Sequence, residues 1–147
     1  MQALIETLGS DRPLAAKQEA SQKLTEGGTA AIPFLIAALH DTRIYERRDI
    51  SNQINLPPNA APPKTILAIV TVGQRCRDLH YQIITPASSS SGRFKVFSTQ
   101  ILQIDDWPAW WAANKHKSLA QIHDDLRPLV DEYWKQHGTT QKVRIER

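Results

Sequence analysis

Four prolines crowd into a short stretch, Pro57, Pro58, Pro62 and Pro63, with Asn52, Asn55 and Asn59 around them. Proline has no backbone N–H and a fixed φ, so neither a helix interior nor a sheet ladder survives that density. Residues 50–65 are therefore expected to form a loop insert, and regular structure must be built on either side of it. A loop this long in a compact domain is usually functional or disordered. The chain has 147 residues, enough for one domain.

On both sides the apolar periodicity reads as helical. Ala3, Leu4 and Leu8 fit a short helix closed by Gly9. Ser10 or Asp11 is placed to cap a second helix, with Pro13 in its first turn and Leu14, Ala16, Ala20 and Leu24 along it. Gly27-Gly28 ends that helix, and Thr29 is placed to cap a third through Ile32, Leu35, Ile36 and Leu39. Thr42 to Asp49 reads as one or two helical turns. Regular structure resumes at Lys64. Thr71 and Gln74 have capping-box spacing, ahead of a helix whose stripe is Val72, Cys76, Leu79 and Ile83. Ser88 to Ser91 with Gly92 marks a flexible link over 86–93, and Phe94 to Ser98 is a candidate short strand. Asp105 and Asp106 are cap candidates for a helix carrying Trp107, Trp110 and Trp111 on one face. Ser118 with Gln121 opens a last helix through Leu119, Ile122, Leu126, Leu129 and Tyr133, expected to kink at Pro128 and end at Gly138.

The succession Leu4-Ile5-Glu6-Thr7-Leu8, then Asp11, Lys17, Ala20, Leu24 and Gly27, then Ala31 to Leu39, resembles a HEAT or HEAT-like repeat, the lyase-type repeats included. In that family a turn Asp pairs with an Arg six residues on; here Asp11 is followed by Lys17. Val70 to Cys76 looks like the start of another inner helix. Trp107-Pro108-Ala109-Trp110-Trp111 is similar to a W-x-x-W-W end motif of bacterial HEAT-like proteins. The resemblance implies an all-α fold, a short stack of helical hairpins interrupted by the proline-rich insert. One repeat cannot bury its own apolar stripe, and solenoids need about three. The open end is therefore expected to be closed by a Trp-rich C-terminal cap of Trp107, Trp110, Trp111, Tyr133 and Trp134. Residues 1–138 form the expected domain and residues 139–147 a basic tail.

Candidate chemistry is sparse. One cysteine, Cys76, excludes an internal disulfide and any zinc site needing two thiolates. Cys76 and His80 sit four apart, suited to a thiolate–imidazole pair, but Cys76 lies on the apolar stripe. His116 and His123 are separated by the Ser118 cap, and His40 and His137 fall at helix ends. Asp105-Asp106 read as caps. Asp124-Asp125 diverge around a helix by about 100° rather than converging on one ligand. No phosphate loop, G-x-S-x-G, H-E-x-x-H or C-x-x-C occurs. No catalytic residue, metal site or cofactor is expected.

The net charge is +3. The first 64 residues are neutral, and the surplus lies from Lys135 onward with Lys142, Arg144 and Arg147. A basic end is weak support for nucleic-acid binding, which is expected of a basic stripe on a folded face. The longest apolar runs, Phe34 to Leu39 and Ile66 to Val70, are far short of the roughly 20 residues that span a bilayer. The first residues show no basic-then-apolar leader, so a cytoplasmic chain is expected, or one exported after loss of a signal.

The expected function is a non-catalytic protein-interaction or scaffold module. Its partner-facing surface would carry Lys17 and Ser21 from the second helix and Arg75, Asp78 and Gln82 from the fourth. Arg43, Tyr45, Arg47 and Arg48 would border it at the edge of the insert, where Arg and Tyr favour binding hot spots. A small immunity or antitoxin-like protein and a nucleic-acid-binding accessory protein are the alternatives. A HEAT-like chromophore lyase is the enzymatic one.

Overall fold

The computed structural model describes residues 1–51, 66–86 and 102–145, with side chains through Gln136. The insert beyond Ser51, the 86–93 link beyond Pro86, the Phe94–Ser98 strand and the side chains of the basic tail lie outside the described residues.

Helices α1 (Gln2–Leu8) and α2 (Leu14–Glu26) are joined by a tight turn. A short 3-10 turn over Gly28–Ala31 leads into α3 (Ile32–Ala37). Strand β1 (Ile44–Asp49) pairs antiparallel with β2 (Leu67–Thr71), and α4 (Val72–Ile84) follows directly. Helices α5 (Trp107–Asn114) and α6 (Leu119–Ile145) complete the order. The described residues are mostly helical, about 65%, with one two-stranded antiparallel sheet among them.

This corrects the expectation of an all-α stack of HEAT-like hairpins. The described residues form no solenoid. Of Thr42 to Asp49, expected as helical turns, Ile44 to Asp49 is strand; its partner is Leu67 to Thr71, so Val70, expected at the start of an inner helix, is strand as well. The physical reason is the local composition. Ile66, Ile69, Val70 and Thr71 are β-branched and stiff at χ1, which favours a pleated surface. Pairing with Ile44 to Asp49 satisfies backbone groups that a one-turn helix would leave open.

Helix ends differ as well. Neither Ser10 nor Asp11 caps α2, whose N-cap is Pro13, and α3 starts after Ala31 with no side-chain cap. By contrast, Thr71 Oγ1 accepts from the Gln74 amide at 3.2 Å, and Gln74 Oε1 accepts from the Thr71 amide at 3.0 Å. Ser118 and Gln121 exchange the same pair of bonds, and Asp106 caps α5 through the Ala109 amide at 3.0 Å. Helix α6 runs through both Pro128 and Gly138 to Ile145.

A single core joins these pieces. Ile5 and Leu8 of α1 meet Ala20 and Leu24 of α2, Ile32 and Leu35 of α3, Val72, Cys76, Leu79 and Ile84 of α4, and Ile122 of α6. Helix α4 is the hub. Its first amides are capped from the loop before β1: Val72 N–H donates to the Arg43 carbonyl at 2.8 Å and Gly73 N–H to the Asp41 carbonyl at 2.9 Å. The approach is so close that a Cβ on Gly73 would lie 2.2 Å from the Leu39 carbonyl oxygen. Glycine is required there by space, not by backbone angle.

Candidate functional site

Most surface-facing candidates gather where the α1–α2 turn faces β1. The buried stripe of α2 is Lys17, Ala20, Ser21 and Leu24, at helical spacing, so two of its four members are polar. Burying an ammonium requires partners. Strand β1 supplies them: a bulge between Ile44 and Glu46 places the Ile44 and Tyr45 carbonyls within 3.2 and 2.9 Å of Lys17 Nζ. The partner of Lys17 is therefore the strand backbone, not Asp11.

Tyr45, the bulged residue, is buried, with Lys17 Nζ at 6.0 Å and Arg75 Cζ at 5.3 Å from its ring centroid. Both cations are within the range at which a ring face attracts them. Arg75 Nε also donates to Ser21 Oγ at 3.3 Å. Lys17, Ser21, Tyr45 and Arg75, separate in sequence, thus form one layer that ties α2, β1 and α4 together.

Arg43 locks the other end. Its guanidinium bonds Asp41 through Nε and Nη2 and reaches Glu6 on α1 at 2.7 Å. These bonds hold both carboxyls below their ordinary range and keep Arg43 protonated. The side chain lies across Gly9, where a Cβ would come within 2.7 Å of Nε.

Between these two anchors lies an open cleft of about 700 Å³, lined among others by Arg12, Lys17, Arg43, Tyr45, Glu46 and Arg47. Four of the candidates named from the sequence, Lys17, Arg43, Tyr45 and Arg47, therefore share one cavity. Ser21 and Arg75 are not among its lining residues and meet it only through the Tyr45 layer. Arg48 pairs with Glu46 at 2.8 Å. Asp78 is on α4, its carboxyl pushed up by burial against the pull of Arg75, Arg77 and Arg48. Gln82 belongs elsewhere, in a recess of about 340 Å³ with Ile83 and His123.

The tryptophans form a second centre. Trp107 is buried, while Trp110 and Trp111 are half-buried and packed against the core. The Trp107 ring lies 3.7 Å, centroid to centroid, from His80 and 4.8 Å from Tyr81; Trp110 meets His80 edge-on at 5.3 Å. His80 is fully buried, and neither ring nitrogen has a hydrogen-bond partner among the described residues. Burial lowers its pKa to about 3. Tyr133 and Trp134 are half-buried and meet edge-to-face at 6.1 Å.

The remaining candidates are placed plainly. Cys76 is sealed in the core and burial pushes its thiol up to about 12. His123 Nε2 lies 2.8 Å from the Ile83 carbonyl, so it acts as a donor. His40 and His116 are exposed, and Asp124 and Asp125 pair with Arg127 and Lys117. Among the described residues, no group of three His, Cys, Asp or Glu side chains is placed to hold a metal, and no helix is long and apolar enough to cross a membrane.

Two features of the cleft escaped sequence reasoning. Arg12 had a signal in its place inside the turn Gly9 to Pro13. The Glu6–Arg43–Asp41 clamp had none, since it joins residues 37 positions apart.

No family, no curated protein and no solved structure matches the chain.

Proposed function

We propose that this chain is a non-catalytic protein-interaction module that presents the cleft between the α1–α2 turn and β1 to a protein partner. The observation that carries the reading is the convergence of Arg12, Lys17, Arg43, Tyr45 and Arg47 from two distant segments on one open cleft. Arginine and tyrosine, with tryptophan, are enriched among the hot spots of protein interfaces. Its floor is rigid, because Tyr45 and Lys17 are buried and the Arg43 clamp holds the rim. The two groups best suited to covalent or acid–base chemistry are withdrawn from it: Cys76 is protonated at neutral pH and enclosed, and His80 lies beneath the tryptophans.

A photo-reactive side chain at Thr42, exposed in the cleft, tests this against the same group at Gln22, exposed on α2 outside it. The expected result in living host cells is one discrete protein adduct from Thr42, absent from Gln22 and lost on Arg47→Glu. Equal adducts from both positions, or none from Thr42, would refute the cleft as the contact surface.

A further inference from the structure

We infer that the occupant of this cleft is an acidic peptide segment of the partner, its carboxylates meeting Arg12, Arg47 and the unspent donor of Lys17. The inference rests on the cleft being the interaction surface and adds the chemistry of what enters it.

The argument starts at Lys17. Its side chain is 7% exposed, yet its two bonds go to neutral carbonyls. None of the ion pairs among the described residues includes it. An ammonium carries three donors, so one remains. A buried charge balanced only by dipoles and a ring face gains most from an entering anion, because the surroundings screen it little. Arg12 stands on the turn and Arg47 on the strand, both lining the cleft with Lys17, and neither is ion-paired among the described residues. The other charged groups are engaged. Arg43 is held by Glu6 and Asp41, and Glu46 by Arg48. Asp11 is the one cleft acid outside an ion pair among the described residues. Three cations on two walls therefore face a single carboxylate.

The charge is confined to a pocket and does not run along a face. A polyphosphate backbone needs a row of contacts, whereas spaced carboxylates on an extended peptide need only this cluster. Guanidinium groups from two separate segments also suit bidentate capture of separate carboxylates.

Fluorescence anisotropy of the full chain with a labelled polyglutamate peptide tests the inference, with polyglutamine, inorganic phosphate and oligo-dT as comparison ligands. Saturable binding of polyglutamate is expected, with none of polyglutamine, and it should weaken as salt rises to the physiological range. Arg12→Gln with Arg47→Gln should weaken it about tenfold. Arg77→Gln, a cation outside the cleft, should leave it unchanged. Arg12 and Arg47 are exposed, so thermal unfolding should stay as in the parent chain. Absent polyglutamate binding, tighter binding of oligo-dT, displacement of the peptide by an equal concentration of inorganic phosphate, or equal losses in Arg77→Gln would each overturn the inference. If polyglutamate fails while the Thr42 adduct persists, the ligand chemistry falls and the cleft stands.

Discussion

Replacing His80 with leucine should remove most of the chain's sensitivity to mild acid. His80 is fully buried against Trp107 and Trp110, and burial lowers its pKa from 6.5 to about 3. A histidine with a depressed folded pKa is neutral in the folded chain and charged in the unfolded one. Below pH 6.5 the unfolded state therefore binds more protons, and stability falls as pH falls. A full pH unit is worth 1.36 kcal/mol, and the unfolded ring is already half protonated at pH 6.5, so the loss between pH 6.5 and about 4.5 is roughly 2 kcal/mol. That is a large part of an ordinary domain's stability of about 5–15 kcal/mol.

Other groups do not imitate the effect. Glu6, Asp41 and Asp49 have lowered pKa values, so their contributions are present above the ordinary carboxylate range and are lost mainly below this window. Asp78 has a raised one and works in the opposite direction, losing stability as pH rises. All four are common to parent and variant and cancel in the difference. Leucine forfeits the ring contacts and changes the packing, but that offset is independent of pH. Urea unfolding followed by tryptophan fluorescence at the two pH values reads the double difference directly. A parent chain that loses about 2 kcal/mol beside a variant that loses little is the expected outcome. Parallel losses in the two chains would refute the assignment of the acid sensitivity to His80.

Gly73→Ala should cost about 3 kcal/mol or more, because the new methyl meets backbone oxygen and carbon of Leu39 that cannot swing aside. Gly9→Ala has a permissive φ of −96° and displaces the Arg43 side chain from its surface pairs with Glu6 and Asp41, so it should cost about 1 kcal/mol; comparing the two midpoints in urea separates a backbone clash from a side-chain one. Cys76, sealed in the core with its thiol held protonated, should react with an aromatic disulfide only at the rate of unfolding. A fast reaction in the native chain would contradict its burial.

What was legible in the sequence was chemistry acting over three or four residues. The Thr71–Gln74 and Ser118–Gln121 capping boxes, the Asp106 cap and the α4 stripe through Val72, Cys76, Leu79 and Ile83 all form as their spacing predicts. What was not legible depends on partners far along the chain. Strand β1 reads Ile-Tyr-Glu-Arg-Arg-Asp, with only Tyr45 buried, so it shows no apolar alternation. Its identity as a strand comes from β2, across the proline-rich insert. The cleft follows the same rule. Arg43, Tyr45 and Arg47 were conspicuous as a basic, aromatic cluster, but Lys17 belongs with them only because the bulge aims two carbonyls at it. His80 looked like half of a pair with Cys76, and its actual neighbours, Trp107 and Trp110, come from another helix.

The hold of Lys17 on β1 has a consequence for how such a chain can change over time. The amine's hydrogen bonds go to the Ile44 and Tyr45 carbonyls, which every amino acid carries, and the one strand side chain it meets is the Tyr45 ring. The strand's anchorage is therefore blind to the identity of positions 46 and 47, which border the cleft. Substitutions there can retune what is recognised without loosening the scaffold that presents it. A bond to main chain thus separates specificity from stability, and leaves this edge of the molecule free to drift toward new partners.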